Sequence, residues 1–251
     1  MLLSGHLLIV LLLTVLGCEA SSDPASSSAP AREASQAPRD GMGTRFGTDV
    51  TSQPGRSREP ARDGIPKIVA FGDSLTAGFG VSPDESYPAQ LQKKLDQAGY
   101  RYRVVNAGVS GDTTAGGVRR IDWVLKSRPQ IVVLELGAND GLRGLAVEQI
   151  RTNLELIIQR LQAAGVTVVL AGMKLPLNYG VDYTERFAAM YVELARKYRL
   201  GMMPFFLEGV GAQVALNQAD GIHPTGAGYR IIVEHLMPVL EPLLAKPAAT
   251  G

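Results

Sequence analysis

The segment Lys67-Ile68-Val69-Ala70-Phe71-Gly72-Asp73-Ser74-Leu75 sets the architecture. After Lys67 comes a short apolar run, Ile68–Phe71, with two β-branched side chains, and Gly72-Asp73-Ser74 breaks it with turn-forming residues, so Lys67–Phe71 reads as a strand running into a sharp turn. The same alternation continues downstream. Tyr87–Ala98 has helical spacing, with Leu91 and Leu95 four apart and Gly99 as its stop. Arg103–Asn106 reads as a second strand, Ala115–Lys126 as a helix ended before Pro129, and Ile131–Leu136 as a third strand. That third run is taken as apolar throughout and is predicted to be buried on both faces. Ala146–Ala163 carries Ile150, Leu154, Ile157, Ile158 and Leu161 on one stripe, closed by Gly165. Val166–Ala171 is a fourth strand, Tyr183–Tyr198 a helix, and Met202–Phe206 a fifth strand that Pro204 assigns to an edge or a break. Thr225 caps a final helix predicted to reach about Leu244, with a kink at Pro238. Trp123 is expected to pack in the core. Strands alternating with helices give an α/β fold, a three-layer α/β/α sandwich of about five parallel strands, flavodoxin-like in its layering.

Outward from this block the composition changes. The folded domain is predicted over residues 65–246, followed by a tail at 247–251. Of the 46 residues Glu19–Gly64, 25 are Ser, Ala, Pro or Gly, which is too little apolar surface to offset the entropy of ordering them. This stretch is expected to be a tether. Before it, Leu7–Leu16 is a ten-residue, largely apolar run: right for the h-region of a secretory signal, too short for a membrane span. Val15-Leu16-Gly17-Cys18 resembles the lipobox of bacterial lipoproteins. That resemblance implies a signal peptide over 1–17, a lipid on Cys18 and export across the inner membrane to the periplasmic side or the cell surface. Cys18 is the sole cysteine of the 251 residues, so no internal disulfide or cysteine-rich metal site competes for it. With 25 basic and 24 acidic residues the chain offers no clustered basic surface for nucleic acid.

In an open parallel sheet, ligands sit beyond the carboxyl ends of the strands. The first three strands end in Gly72-Asp73-Ser74-Leu75, Asn106-Ala107-Gly108 and Gly137-Ala138-Asn139-Asp140. No Gly-Lys pair exists for a P-loop. Gly78-Phe79-Gly80 lacks the third glycine of a dinucleotide fingerprint, and neither His-Glu-x-x-His nor Gly-x-Ser-x-Gly occurs. A nucleophilic serine needs a base and an orienting group. Of the three histidines, His6 lies in the leader and His235 reads as a helix residue, which leaves His223. Pro224 pushes His223 out of helical geometry and Gly221 permits a tight turn, so Asp220 can fold back onto the imidazole. The spacing alone serves equally well for a polar turn before the last helix. Asn139 can likewise just close its own turn, Asp73 can merely cap the turn at Ser74, and Asp140 is assigned a structural role.

Four blocks occur together and in order: Gly72-Asp73-Ser74-Leu75, the Gly108 segment, Gly137-Ala138-Asn139-Asp140 and Asp220-x-x-His223. In this the chain resembles the GDSL/SGNH hydrolases, whose four named residues match Ser74, Gly108, Asn139 and His223. The likeness extends over Asn106–Thr113, Glu135–Gly144 and Leu175–Gly180, and is greatest to the bacterial periplasmic branch described as thioesterases, proteases, lysophospholipases and arylesterases. The resemblance implies a catalytic set of Ser74, His223 and Asp220 and an oxyanion hole from the backbone of Ser74 and Gly108 with the Asn139 amide. It implies an acyl groove drawing on the segment with Leu175, Pro176 and Tyr179, and no cofactor or metal; Leu142 can add apolar wall to that groove and serves equally well as loop packing. The implied activity is hydrolysis of medium- or long-chain acyl esters and thioesters, lysophospholipids and aryl esters by a monomer. A carbohydrate or cell-wall O-acetyl esterase is the alternative, and a non-catalytic binding lipoprotein a further one. An imidazole base requires activity to fall on acidification through roughly pH 6–7.

Overall fold

The computed structural model describes residues 64–245. The expected leader, Cys18, the tether and the 247–251 tail lie outside the described residues. In chain order the elements are β1 (Lys67–Gly72), α1 (Ser74–Ala77), α2 (Tyr87–Gln97), β2 (Arg103–Gly108), α3 (Thr114–Lys126) and β3 (Ile131–Glu135). There follow α4 (Ala138–Leu142), α5 (Val147–Ala163), β4 (Thr167–Ala171), α6 (Val181–Tyr198), β5 (Gly201–Met203) and α7 (Gly226–Leu240). The five strands are parallel in the order β2-β1-β3-β4-β5.

This order places the helices. A right-handed crossover lays its helix on the face set by the direction of travel along the sheet. The β1-to-β2 step runs one way and the β2-β3-β4-β5 steps run the other. Accordingly α3, α5 and α6 pack side by side on one face, and α2 lies with α7 on the other. The reversal occurs at β1, and the crevice between the carboxyl ends of β1 and β3 is where such sheets bind ligands. The three-layer sandwich expected from the sequence is the architecture observed.

The core forms where apolar periodicity directs it. Ile68 to Phe71 and Ile131 to Leu134 are buried, as are Ile150, Leu154, Ile157, Ile158 and Leu161 of α5; each such side chain contributes about 1.5–3 kcal/mol on leaving water. The structure departs from the sequence reading in four places. The third strand is not apolar throughout, because Glu135 closes it and is fully buried. Trp123 is 57% exposed rather than core. The inward stripe of α3 holds Gly117, Ile121 and Val124, and two positions beyond Ile121 is about 200° around a helix of roughly 3.6 residues per turn. β5 is an edge strand but ends at Met203, because Pro204 has no N–H for the ladder. Helix α7 ends at Leu240, two residues after Pro238, and a 3₁₀ turn, Glu241–Leu243, follows.

Candidate active site

Ser74 opens α1 directly after β1. The Asp73 carboxylate caps this one-turn helix by accepting the Leu75 N–H at 3.0 Å, and Gly78, in the left-handed region at φ 81°, closes it by donating to the Ser74 carbonyl. As the first helical residue, Ser74 keeps a backbone N–H with no acceptor inside the helix. Its Oγ lies 2.9 Å from His223 Nε2, and His223 Nδ1 lies 2.7 Å from Asp220 Oδ2. The other Asp220 oxygen accepts the backbone N–H groups of Ile222 and His223, and Gly221 takes the left-handed conformation that the turn requires. The His223 backbone and ring hydrogen bonds hold the Asp220 carboxyl down to about 2, so it is an anion throughout the neutral range. The structure therefore brings Ser74, His223 and Asp220 into one hydrogen-bonded series.

Asn139 does not merely close its own turn. Its Nδ2 reaches across the crevice to Asp73 Oδ2 at 3.1 Å and to the Asp112 carbonyl at 3.0 Å. Gly108 ends β2 beside α1, and a Cβ there would lie 2.1 Å from the Ala77 backbone nitrogen. Glycine at 108 is thus required by packing against the nucleophile turn itself. The Gly108 N–H donates to Asn106 Oδ1 at 2.9 Å. Asp140 stays structural, accepting the Thr114 N–H and hydroxyl at the start of α3.

Beneath these loops lie groups that no motif marks. Arg120 on α3 donates from Nε to Asp112 at 2.6 Å, and through its two terminal nitrogens to the Ala107 and Gly72 carbonyls at 2.6 and 2.7 Å, with its guanidinium over the Phe71 ring. It ties together the ends of β1 and β2 and the loop that receives Asn139. Gln218 similarly donates to the Phe79 and Pro224 carbonyls, joining the Ser74 loop to the His223 loop. The Phe79 ring lies 4.8 Å from the imidazole, centroid to centroid.

A cleft of about 400 Å³ begins beside Leu75 and Ile222, the neighbours of Ser74 and His223, and continues along Leu142, Met173, Leu175, Pro176 and Phe205. Of the four expected groove residues, Leu142, Leu175 and Pro176 line it. Tyr179 does not: its hydroxyl donates to the Leu142 carbonyl at 2.9 Å, supporting the wall from behind. Met173, Phe205 and Ile222 were not expected. They lie on loops after β4, after β5 and before His223, and only the sheet order brings them together. Among the described residues no three His, Cys, Asp or Glu side chains are grouped to hold a metal ion.

A model of the GDSL-like lipase/acylhydrolase family matches residues 70–231. The chain is 46% identical over 178 residues to the esterase TesA of Pseudomonas aeruginosa, covering 70% of this chain and 89% of that protein. It is 38% identical over 178 residues to the thioesterase 1/protease 1/lysophospholipase L1 of Escherichia coli, covering 70% and 84%. A crystal structure of TesA superposes with a TM-score of 0.69 at 45% identity, covering 71% of this chain and 99% of that one.

Proposed function

The chain belongs to the GDSL-like lipase/acylhydrolase family and is a serine ester hydrolase, and from that premise we propose that it cleaves medium- and long-chain acyl esters and thioesters through an acyl-enzyme on Ser74. The observation that carries this reading is the Ser74–His223–Asp220 series opening onto an apolar cleft. His223 takes the Ser74 proton as Oγ attacks the acyl carbonyl and returns it to the leaving group; the ionised Asp220 fixes the tautomer and stabilises the imidazolium. Water then attacks the acyl-enzyme by the reverse proton route.

The oxyanion is received by the Ser74 and Gly108 N–H groups and the Asn139 amide. At rest the last two are engaged, Gly108 with Asn106 and Asn139 with Asp73 and Asp112. A developing negative charge is a stronger acceptor than the neutral Asn106 and Asp112 carbonyls and draws those N–H groups to itself. The proposed chemistry needs one copy of the chain, since Ser74, His223 and Asp220 meet within a single chain, and the proposal takes the monomer as the acting form. A signal peptide over 1–17 and a lipid on Cys18 place the domain on the periplasmic side or the cell surface, where lysophospholipids are at hand. Esterase, thioesterase and lysophospholipase are the names its relatives carry.

The test is hydrolysis of p-nitrophenyl esters from acetate to palmitate by the purified chain, beside Ser74→Ala and Asn139→Ala. Turnover is expected to peak at six or more carbons, to vanish in Ser74→Ala and to fall roughly 10²–10³-fold in kcat in Asn139→Ala. Turnover confined to acetate would instead assign the chain to O-acetyl ester hydrolysis.

A further inference from the structure

Directly behind the nucleophile turn two carboxyl groups face one another out of water. Glu135, the last residue of β3, is fully buried, and Asp73 is 1% exposed. Glu135 Oε2 accepts the Thr76 hydroxyl at 2.7 Å and the Asp73 N–H at a long 3.4 Å. Gly72 leaves the room for this, since a Cβ there would lie 2.4 Å from Oε2. Asp73 accepts two N–H groups, from Leu75 and from Asn139 Nδ2. A hydrogen bond between the two carboxyl groups themselves requires a proton on one of them.

Among the described residues no lysine or arginine is hydrogen bonded to either carboxyl group. Arg120, which holds the Gly72 carbonyl next to Asp73, spends its donors on Asp112, Ala107 and Gly72. The other titratable groups facing Glu135 are Tyr87 of α2, Tyr191 of α6 and Tyr229 of α7, all buried and held by burial above the ordinary phenol range, hence neutral. His223 acts on Asp73 from beyond it. Two anions cannot share so dry a site, so one proton is retained. The distribution of donors says where: Asp73 has one N–H on each carboxylate oxygen, Leu75 on Oδ1 and Asn139 on Oδ2, whereas both donors to Glu135 fall on Oε2, and no donor among the described residues reaches Oε1. Burial and the Asp73 charge push Glu135 well above the usual carboxylate range, and burial raises Asp73 to about 6.

The geometry points to Glu135 as a positioning residue that stays protonated at neutral pH and donates to the Asp73 carboxylate, so that the pair carries one negative charge and holds the Asn139 amide at the oxyanion site. This role rests on the proposed Ser74 chemistry. Loss of that proton at alkaline pH sets two like charges against each other, and Asp73 moves with the Asn139 amide attached.

The test uses the full chain with ¹³C at the glutamate δ-carboxyl. One glutamate carbon is expected to keep the chemical shift of a protonated carboxyl at pH 7 and to be missing from Glu135→Gln, Glu135 being the only buried glutamate of the described residues. The amide of Glu135→Gln can donate without a titrating proton, so it should retain ester hydrolysis to within about threefold and lose the alkaline decline. Glu135→Ala should lose up to about 100-fold, the cost of displacing a reacting group by about 1 Å. A spectrum in which every glutamate is ionised at pH 7 overturns the proposal, whether or not the variants fold. So does a folded Glu135→Gln as inactive as Glu135→Ala, or one that keeps the wild-type alkaline decline. An active Ser74→Ala would instead remove the serine chemistry and leave the glutamate signal in place.

Discussion

Asp220 and Asp73 are carboxylates of the same site that titrate in opposite directions, and the cause is local. Asp220 is partly exposed and accepts from two backbone N–H groups and an imidazole, all of which favour the anion. Asp73 is buried, and burial outweighs its two N–H donors. For Asp220 the folded carboxyl, at about 2, lies below its ordinary value of 3.8. Its contribution to stability is therefore present above 3.8 and is lost as pH falls towards 2. Asp220→Asn should flatten the fall in denaturant midpoint across that acid window. It should also lower kcat at pH 7 by about 10³–10⁴-fold, because an amide holds the wrong imidazole tautomer. Chemical denaturation from pH 2 to 6 and p-nitrophenyl ester kinetics check both. A variant within tenfold of wild type would remove Asp220 from the mechanism.

Arg120 shows how one helix residue serves several elements. From α3 it holds the last carbonyl of β1, the Ala107 carbonyl near the end of β2 and the side chain of Asp112, whose own carbonyl receives Asn139. Arg120→Lys keeps the charge but offers one compact ammonium where a fixed fork reaches three partners. Arg120→Ala leaves a mostly buried Asp112 unpaired, which costs about 3 kcal/mol or more and lowers Tm by about 6–12 °C for a domain of this size. Arg120→Lys should melt closer to wild type yet lose at least tenfold in kcat/KM, as read by thermal melts and ester kinetics. Equal kinetics for Arg120→Lys and wild type would show that charge alone suffices. The contrast with Ser74 explains what a sequence can disclose. Ser74, Gly108 and Asn139 sit at the ends of β1, β2 and β3, so their convergence follows from the alternation of strands and helices, whereas Asp220-x-x-His223 lies in the turn before α7 and only the order of the four blocks marks it. Arg120 and Gln218 lie mid-helix and mid-loop, and apart from the Asp112 carboxylate the partners described for them are backbone carbonyls, which leave no mark in residue types. Glu135 was obscured by its apolar neighbours, since Ile131 to Leu134 carry the strand signal by themselves. Trp123 was misplaced for a related reason, its size suggesting burial where helical phase directs it outward.

The whole molecule has a polarity that bears on how it meets lipid. The chain enters β1 at Lys67 on the amino edge of the sheet, whereas Ser74, the cleft and the exposed side chains of Phe79, Val109, Leu177, Val214 and Ile222 lie on loops at the carboxyl edge. A six-residue strand puts about 20 Å between the edges before the loops are counted. A lipid on Cys18, as proposed above, would be joined along the chain to Lys67 and so to the edge remote from the chemistry. Were 19–64 the flexible tether that its composition leads one to expect, 46 residues would correspond to about 35–40 Å and a ten-residue remnant to only about 16–19 Å, and only the longer would let the carboxyl edge turn towards the same bilayer. Shortening 19–64 to about ten residues should reduce hydrolysis of lysophospholipid held in the same vesicles several-fold. It should leave p-nitrophenyl hexanoate hydrolysis in detergent unchanged. Adding Cys18→Ser should move both the long and the short form from the membrane fraction to the soluble one and abolish the difference between them. Equal vesicle activity of the two anchored forms would mean that the tether length has no part in reaching the substrate. Membrane retention of the Cys18→Ser chain would mean that the anchor lies elsewhere.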